Sequence, residues 1–245
     1  MRTLFVLTFI LISQSLFAQS DIPKVDYTSI GELDGSYSKI KSFNSLPDGK
    51  KPVENLSYAD VQGSPFWDKN WNAAVLVLAN GTVTKTQKAK LNLYTNEVHF
   101  VNLFNVEMAC DNKAIKKIIF FKGIDTSKVM GVFESLANPS GTDNVFFRSL
   151  NKGKVRLLEL KKVSVKESEY NPLVGKKEYS FYSKSTYAIS DDEKIIPLKT
   201  LNQSSLFTAI PKASDYSEWL KQNNNKLKNE LEISTFLDYY NSQLK

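Results

Sequence analysis

Apolar residues along this chain recur mostly at every second position, in short runs. Residues 73–78 (AAVLVL) form a compact β-prone run, and Asn80-Gly81 follows, a strong short-range hairpin signal read here as a type I′ turn. Residues 82–84 and 90–94 read as two further strands with period-two alternation. Turns at residues 95–97 and at Asp111-Asn112 set off two more β-rich runs, 98–101 and 114–121. Strands joined by links of a few residues pair antiparallel, because a parallel pair needs a long crossover. The pattern therefore predicts a meander.

Residues 129–136 fit either a strand or one to two helical turns. Residues 145–150 and 155–163 predict a hairpin around Asn151-Lys152-Gly153. In 178–189, aromatic and polar positions alternate through Tyr179, Phe181, Ser183, Tyr187 and Ile189. Asp191-Asp192-Glu193 then turns the chain into 195–198. After Thr200 the period becomes helical. A short helix is predicted over 202–210. Ser214 is read as the N-cap of a second, with Asp215 and Glu218 favourable in its first turn. A last helix over 230–244 carries Ile233, Phe236, Leu237, Tyr240 and Leu244 as its stripe. Residues 20–60 are broken by Gly31, Asp34-Gly35, Pro47, Asp48-Gly49 and Pro52, which predicts an extended segment with one short strand near 37–43. The expected fold class is α+β: a predominantly antiparallel β-sheet, a curled or partly barrel-like meander, with C-terminal helices. Its parts are an extended segment (20–60), a β region (61–200) and helices packing on it (201–245), together one globular unit.

Residues 1–19 have the layout of a secretory signal peptide: Arg2, an apolar run over 4–12, then a polar break with cleavage after Ala18 or Gln19. The run is about nine residues, and a bilayer span needs roughly 20. No Cys follows it, so no lipoprotein anchor is expected. The expectation is an exported chain, periplasmic or secreted, with no transmembrane segment after signal removal.

Three stretches carry a likeness. They are Gly63-Ser64-Pro65-Phe66-Trp67 with Trp71 and residues 91–98 (LNLYTNEV), then 145–158 (VFFRSLNKGKVRLL), then 220–223 with 237–242. Together they resemble an uncharacterised exported protein family of Bacteroidota. The resemblance implies an exported, β-rich protein and brings no catalytic residues with it.

Composition narrows the chemistry. With 42% hydrophobic and 24% charged residues in 245, the chain is neither disordered nor a polytopic membrane protein. Of 32 basic residues only Arg2, Arg148 and Arg156 are Arg. Planar, bidentate recognition of phosphate or carboxylate favours Arg, and the net charge of +6 is diffuse, so no nucleic-acid partner is expected. The single Cys, Cys110, forms no internal disulfide and reads as a small buried hydrophobe; as a nucleophile it needs the single His, His99. His99 alternates with Val98 and Phe100, which places it on the other and wetter side of its strand. One His and one Cys exclude the usual zinc clusters. Asp191-Asp192-Glu193 matches no calcium loop. The pairs Gly49-Lys50, Gly153-Lys154 and Gly175-Lys176 lack the glycine spacing of a phosphate loop. No cofactor is implied.

Trp67 and Trp71 are the candidate binding residues. Exposed together they would stack on a sugar or a peptide; packed, they would plug one end of the β core. The reading is a non-catalytic exported protein that binds a protein partner or an envelope component. One rival is a carrier with an interior too large for its own side chains. The other is an envelope glycan hydrolase, which needs two acids in a cleft, one with a raised pKa.

Overall fold

The computed structural model describes residues 37–38, 58–102, 104–122, 125–169, 177–191 and 194–244. Most of the expected extended segment, the expected signal peptide and most of the predicted strand near 37–43 lie outside them. Twelve strands make one open sheet: β1 (Tyr37–Ser38), β2 (Val61–Gln62), β3 (Asn72–Leu78), β4 (Val83–Asn92), β5 (Glu97–Val101), β6 (Glu107–Asp111), β7 (Ile115–Lys122), β8 (Asp125–Ala137), β9 (Asn144–Ser149), β10 (Arg156–Glu167), β11 (Tyr179–Ser190) and β12 (Ile195–Leu198). The order across the sheet is β1-β6-β5-β4-β3-β7-β8-β9-β10-β11-β12. Every pairing is antiparallel except that of β2 with β11. The helices α1 (Gln203–Ala209), α2 (Ser217–Gln222) and α3 (Glu230–Gln243) follow. The fold is α+β with a predominantly antiparallel sheet. No described helix is long and apolar enough to cross a membrane.

The sheet curls because its apolar face must be covered by itself. Ala74 and Leu76 of β3, Val98 and Phe100 of β5, Cys110 of β6, Ile118 and Phe120 of β7, Phe133 of β8 and Phe146 of β9 form one buried cluster. Each buried phenylalanine contributes about 2–3 kcal/mol by leaving water. Strands β4–β6 therefore fold over β3, β7 and β8. The bend falls in β4, where Thr86 Oγ1 accepts from Lys88 N–H and ladder pairing passes from β3 to β5. That strand was expected as two; its polar middle, Thr86-Gln87-Lys88, is a hinge rather than a break.

The meander itself is shorter than expected. It runs β3-β4-β5-β6, and β7 then returns to the far side of β3 instead of pairing with β6. A three-residue link suffices because β6 and β7 belong to opposite layers of the curl. Segment 58–67 laces β11 to β4. Tyr58–Asp60 form a 3₁₀ turn, Val61 and Gln62 pair with Tyr179 and Ser180, and Phe66 bridges Asn92.

Asn80-Gly81 does turn the β3–β4 hairpin, but not as type I′. Gly81 N–H bonds Leu78 C=O, Leu78 N–H bonds Thr82 C=O, and Gly81 alone takes a left-handed φ of +89°. This is the three-residue loop with a glycine bulge. Residues 129–136, ambiguous in sequence, lie in strand β8.

The helices close one end. Asn229 caps α3 by accepting from Glu232 N–H at 2.9 Å, while Glu232 accepts from the Lys228 and Lys226 amides. Ile233, Phe236, Leu237 and Tyr240 meet Val155, Leu157 and Ile189 of the sheet. Leu244, expected on the stripe, follows the last helical residue and is exposed. Ser214 is not an N-cap. It lies inside a 3₁₀ segment, Pro211–Tyr216, and its hydroxyl donates to Pro211 C=O at 2.7 Å. Pro211 at the first position explains the tighter turn, since its fixed φ starts a helix there.

Candidate functional site

The two candidate tryptophans part company. Trp67 N–H bonds Leu91 C=O, and its ring packs on Phe133 (4.9 Å) and Phe120 (5.5 Å). Arg148 lies over it at 5.7 Å. Trp71 instead carries Lys90 Nζ over its ring at 4.4 Å. Lys90 pairs with His99, whereas Leu91 pairs with Val98, so the two rings sit against opposite faces of the sheet. Both are half-buried. They do not form a joint stacking platform.

His99 lies opposite Val98 and Phe100, as alternation requires, but that face is not wet there. Phe66 packs edge-on over the imidazole at 5.2 Å and His99 is 1% exposed. Its Nδ1 bonds Glu107 Oε1 at 2.8 Å, and its Nε2 meets Asn92 Nδ2 at 3.4 Å. Asn92 Oδ1 accepts from the Tyr94 and Thr95 amides, so Nδ2 is the group turned to the ring. Nδ2 also donates to Tyr58 Oη at 2.9 Å. Nε2 must therefore accept, and the proton sits on Nδ1. This histidine holds the β4–β5 turn to the lacing segment. Sequence alternation located its face but not its cover, because Phe66 arrives from a segment outside the meander.

Cys110 pairs with Val98 and so lies across the sheet from His99. Burial, with Asp111 and Glu97 nearby, pushes its thiol up to about 11. Glu159 is the buried acid among the described residues. It pairs with Arg148 at 3.5 Å and accepts from Ser185 Oγ at 2.6 Å. Tyr187 Oη donates to Glu230 Oε1 at 2.6 Å, tying α3 to the sheet. Among the described residues no group of three His, Cys, Asp or Glu side chains is placed to hold a metal.

What the sheet offers outward is different. In the β10–β11 hairpin, Val163, Val165 and Phe181 point into the core. Directly paired residues share a face. The opposite face therefore carries four rows: Leu160 with Thr186, Lys162 with Lys184, Ser164 with Tyr182, and Lys166 with Ser180. Lys162, Lys166 and Lys184 are exposed, and Tyr182 is 52% exposed. Not one of the eight positions is acidic. No ion pair among the described residues involves these three lysines. Period-two alternation marks these positions as outward, but the Lys162–Lys184 juxtaposition needs the register, which the intervening loop conceals.

Open clefts run beside the described residues. One of about 290 Å³ runs along β10 past Lys162 and Ser164 to Leu93 and Asn96. A second, of about 460 Å³, is lined by Lys117, Ile119, Val132, Glu134 and Arg156. There Arg156 Nη1 bonds both Glu134 oxygens at 2.7 Å, and Lys117 approaches the same carboxylate at 3.9 Å. A third, of about 360 Å³, lies by Pro139 and Ile195. Comparison of the chain with protein families, with curated proteins and with solved structures found no match.

Proposed function

We propose that this is an exported, non-catalytic protein that binds a component of the cell envelope. The observation that carries the reading is the outer face of the β10–β11 hairpin, where four successive rows hold three exposed lysines, an exposed tyrosine and no acid. Charge of one sign gathered on one face raises the local concentration of an opposite partner. The groups on which a reaction would draw are held inside the fold instead. His99 is bonded to Glu107 and Asn92, Cys110 is buried as a thiol, and the buried Glu159 is paired with Arg148. Export rests on the N-terminal pattern alone.

The test is co-sedimentation of the mature chain with washed envelope from its own cells, at low and at high salt. Binding released by salt is expected, because exposed charges are screened. Recovery in the supernatant at every salt concentration would refute the reading. So would new reducing ends appearing on purified envelope glycan.

The cleft of about 460 Å³ favours a second reading, a small-molecule carrier. Ile119 and Val132 provide apolar wall beside Lys117 and Arg156. A co-purifying mass in native mass spectrometry would support it. The main β core is filled by buried side chains from eight strands, β3 to β10, so this cleft rather than the interior would hold the cargo.

A further inference from the structure

We infer that the envelope component is an acidic polysaccharide, bound along the outer face of the β10–β11 hairpin; the inference rests on the binding reading above. Two lysines stand directly opposite each other, Lys162 and Lys184, with no acid in the four rows from Leu160/Thr186 to Lys166/Ser180; Glu178 follows in the next row, where its carbonyl accepts from Ser168 N–H. Like charges so placed work against pairing in the free protein. A polyanion laid across them removes that repulsion.

The order of side chains suits an extended polymer. Strands rise about 3.4 Å per residue. Along the hairpin a ligand meets the Lys162/Lys184 pair, then Tyr182 about 7 Å further on, then Lys166 about 7 Å beyond it. Cation, ring and cation thus follow one another at the spacing of two strand residues. The half-exposed phenol of Tyr182 offers a ring and a hydroxyl, which suits a sugar ring carrying acidic groups on either side. Nothing apolar projects beyond the lysines on this face to enter a bilayer: its other large apolar member, Leu160, is buried.

The experiment uses the mature chain and polygalacturonate oligosaccharides. A neutral glucan and vesicles of anionic and zwitterionic phospholipid serve as the other arms. Binding to polygalacturonate that weakens with salt is expected, with none to the glucan. Lys162→Gln with Lys184→Gln should weaken it about tenfold, the scale of two screened surface contacts. Tyr182→Ala should weaken it without changing the salt dependence. Lys184→Glu should abolish binding while leaving the thermal midpoint equal or higher, since it pairs with Lys162. That variant separates the binding role from a merely structural one. The inference is overturned if polygalacturonate does not bind, if the double variant binds like the parent, or if vesicles alone bind through these lysines. Envelope co-sedimentation that survives such a failure would leave the binding reading intact and remove only the ligand class; loss of both would remove the two together.

Discussion

A β-carbon built on Gly153 falls 2.6 Å from both Cγ and Nδ2 of Asn241. Gly153 holds a φ of +102°, in the β9–β10 turn, and Asn241 lies in the last turn of α3. Asn241 accepts from Val155 N–H at 2.8 Å and donates to the carbonyls of Lys152 and Val155. The turn and the helix end are thus one joint, 88 residues apart in sequence. Gly153→Ala should destabilise the fold by about 2 kcal/mol or more, from the left-handed backbone and the clash. Asn241→Ala, which leaves the Val155 amide unmet while Asn151 Nδ2 still donates to both carbonyls, should cost about 1–3 kcal/mol. Because both act on one joint, the double variant should lose less than the sum. Additive losses in urea unfolding would mean that the contact does not hold the helix.

The β3–β4 turn makes a second case for glycine, with the opposite cause. No atom lies within 4 Å of a β-carbon on Gly81, so space is free, and only the φ of +89° resists a side chain. Gly81→Val should therefore lower stability by about 1–2 kcal/mol. Gly81→Asn should lower it less, because Asn tolerates the left-handed region. An equal effect of Val and Asn on the melting midpoint would show that backbone conformation is not what matters there.

These joints mark the boundary of what the sequence reveals. Alternation located most strands, and the helical stripe of α3 was legible because Ile233, Phe236, Leu237 and Tyr240 face one core. Partner choice was not legible. Residues 112–114 look like a meander turn, yet β7 crosses to β3, because burying Ile118 and Phe120 under β5 outweighs adjacency. His99 looked wet because its cover, Phe66, enters from the lacing segment. The tryptophans looked paired because they are four residues apart. One backbone excursion between them, fixed by Asp68 accepting from Asn70 and Asn72, sends them to opposite faces. The lysine face was half legible: the outward positions follow from alternation, but their opposition depends on the pairing register of β10 with β11.

That separation of the tryptophans has a measurable consequence. Gly131 gives Trp67 its seat, since a β-carbon there would lie 3.0 Å from the ring. Trp67→Ala should cost about 3 kcal/mol, the scale of an aromatic lost from a core. Gly131→Ala should cost less and red-shift the tryptophan emission as the ring is lifted toward water. Trp71→Ala should cost under about 1 kcal/mol, because it removes a half-exposed ring and one cation–π contact. None of these three substitutions should alter the proposed envelope binding beyond its effect on stability. A specific loss of binding in folded Trp71→Ala would return that residue to the site.

Alkaline pH should weaken the seam between sheet and helices. Burial, aided by the hydrogen bond to Glu230 and the charges of Glu230 and Glu159, pushes the Tyr187 hydroxyl up to about 12. Its folded pKa lies above the unfolded value of about 10. The unfolded chain therefore loses this proton first. The stabilisation is complete below about pH 10 and is lost as pH rises through that value toward 12. Cys110 acts in the same direction at somewhat lower pH, from an unfolded value of about 8.5 toward its folded value of about 11. Urea midpoints measured across pH 8–11 should fall for the parent. They should fall less steeply for Tyr187→Phe and for Cys110→Ala, which lack the titrating group, although each starts lower at pH 8. At pH 8 the Cys110 thiol should resist iodoacetamide until the protein unfolds, because it is buried and protonated. Rapid alkylation of the folded chain, or parallel pH profiles for parent and Tyr187→Phe, would show that neither group is held neutral by the fold.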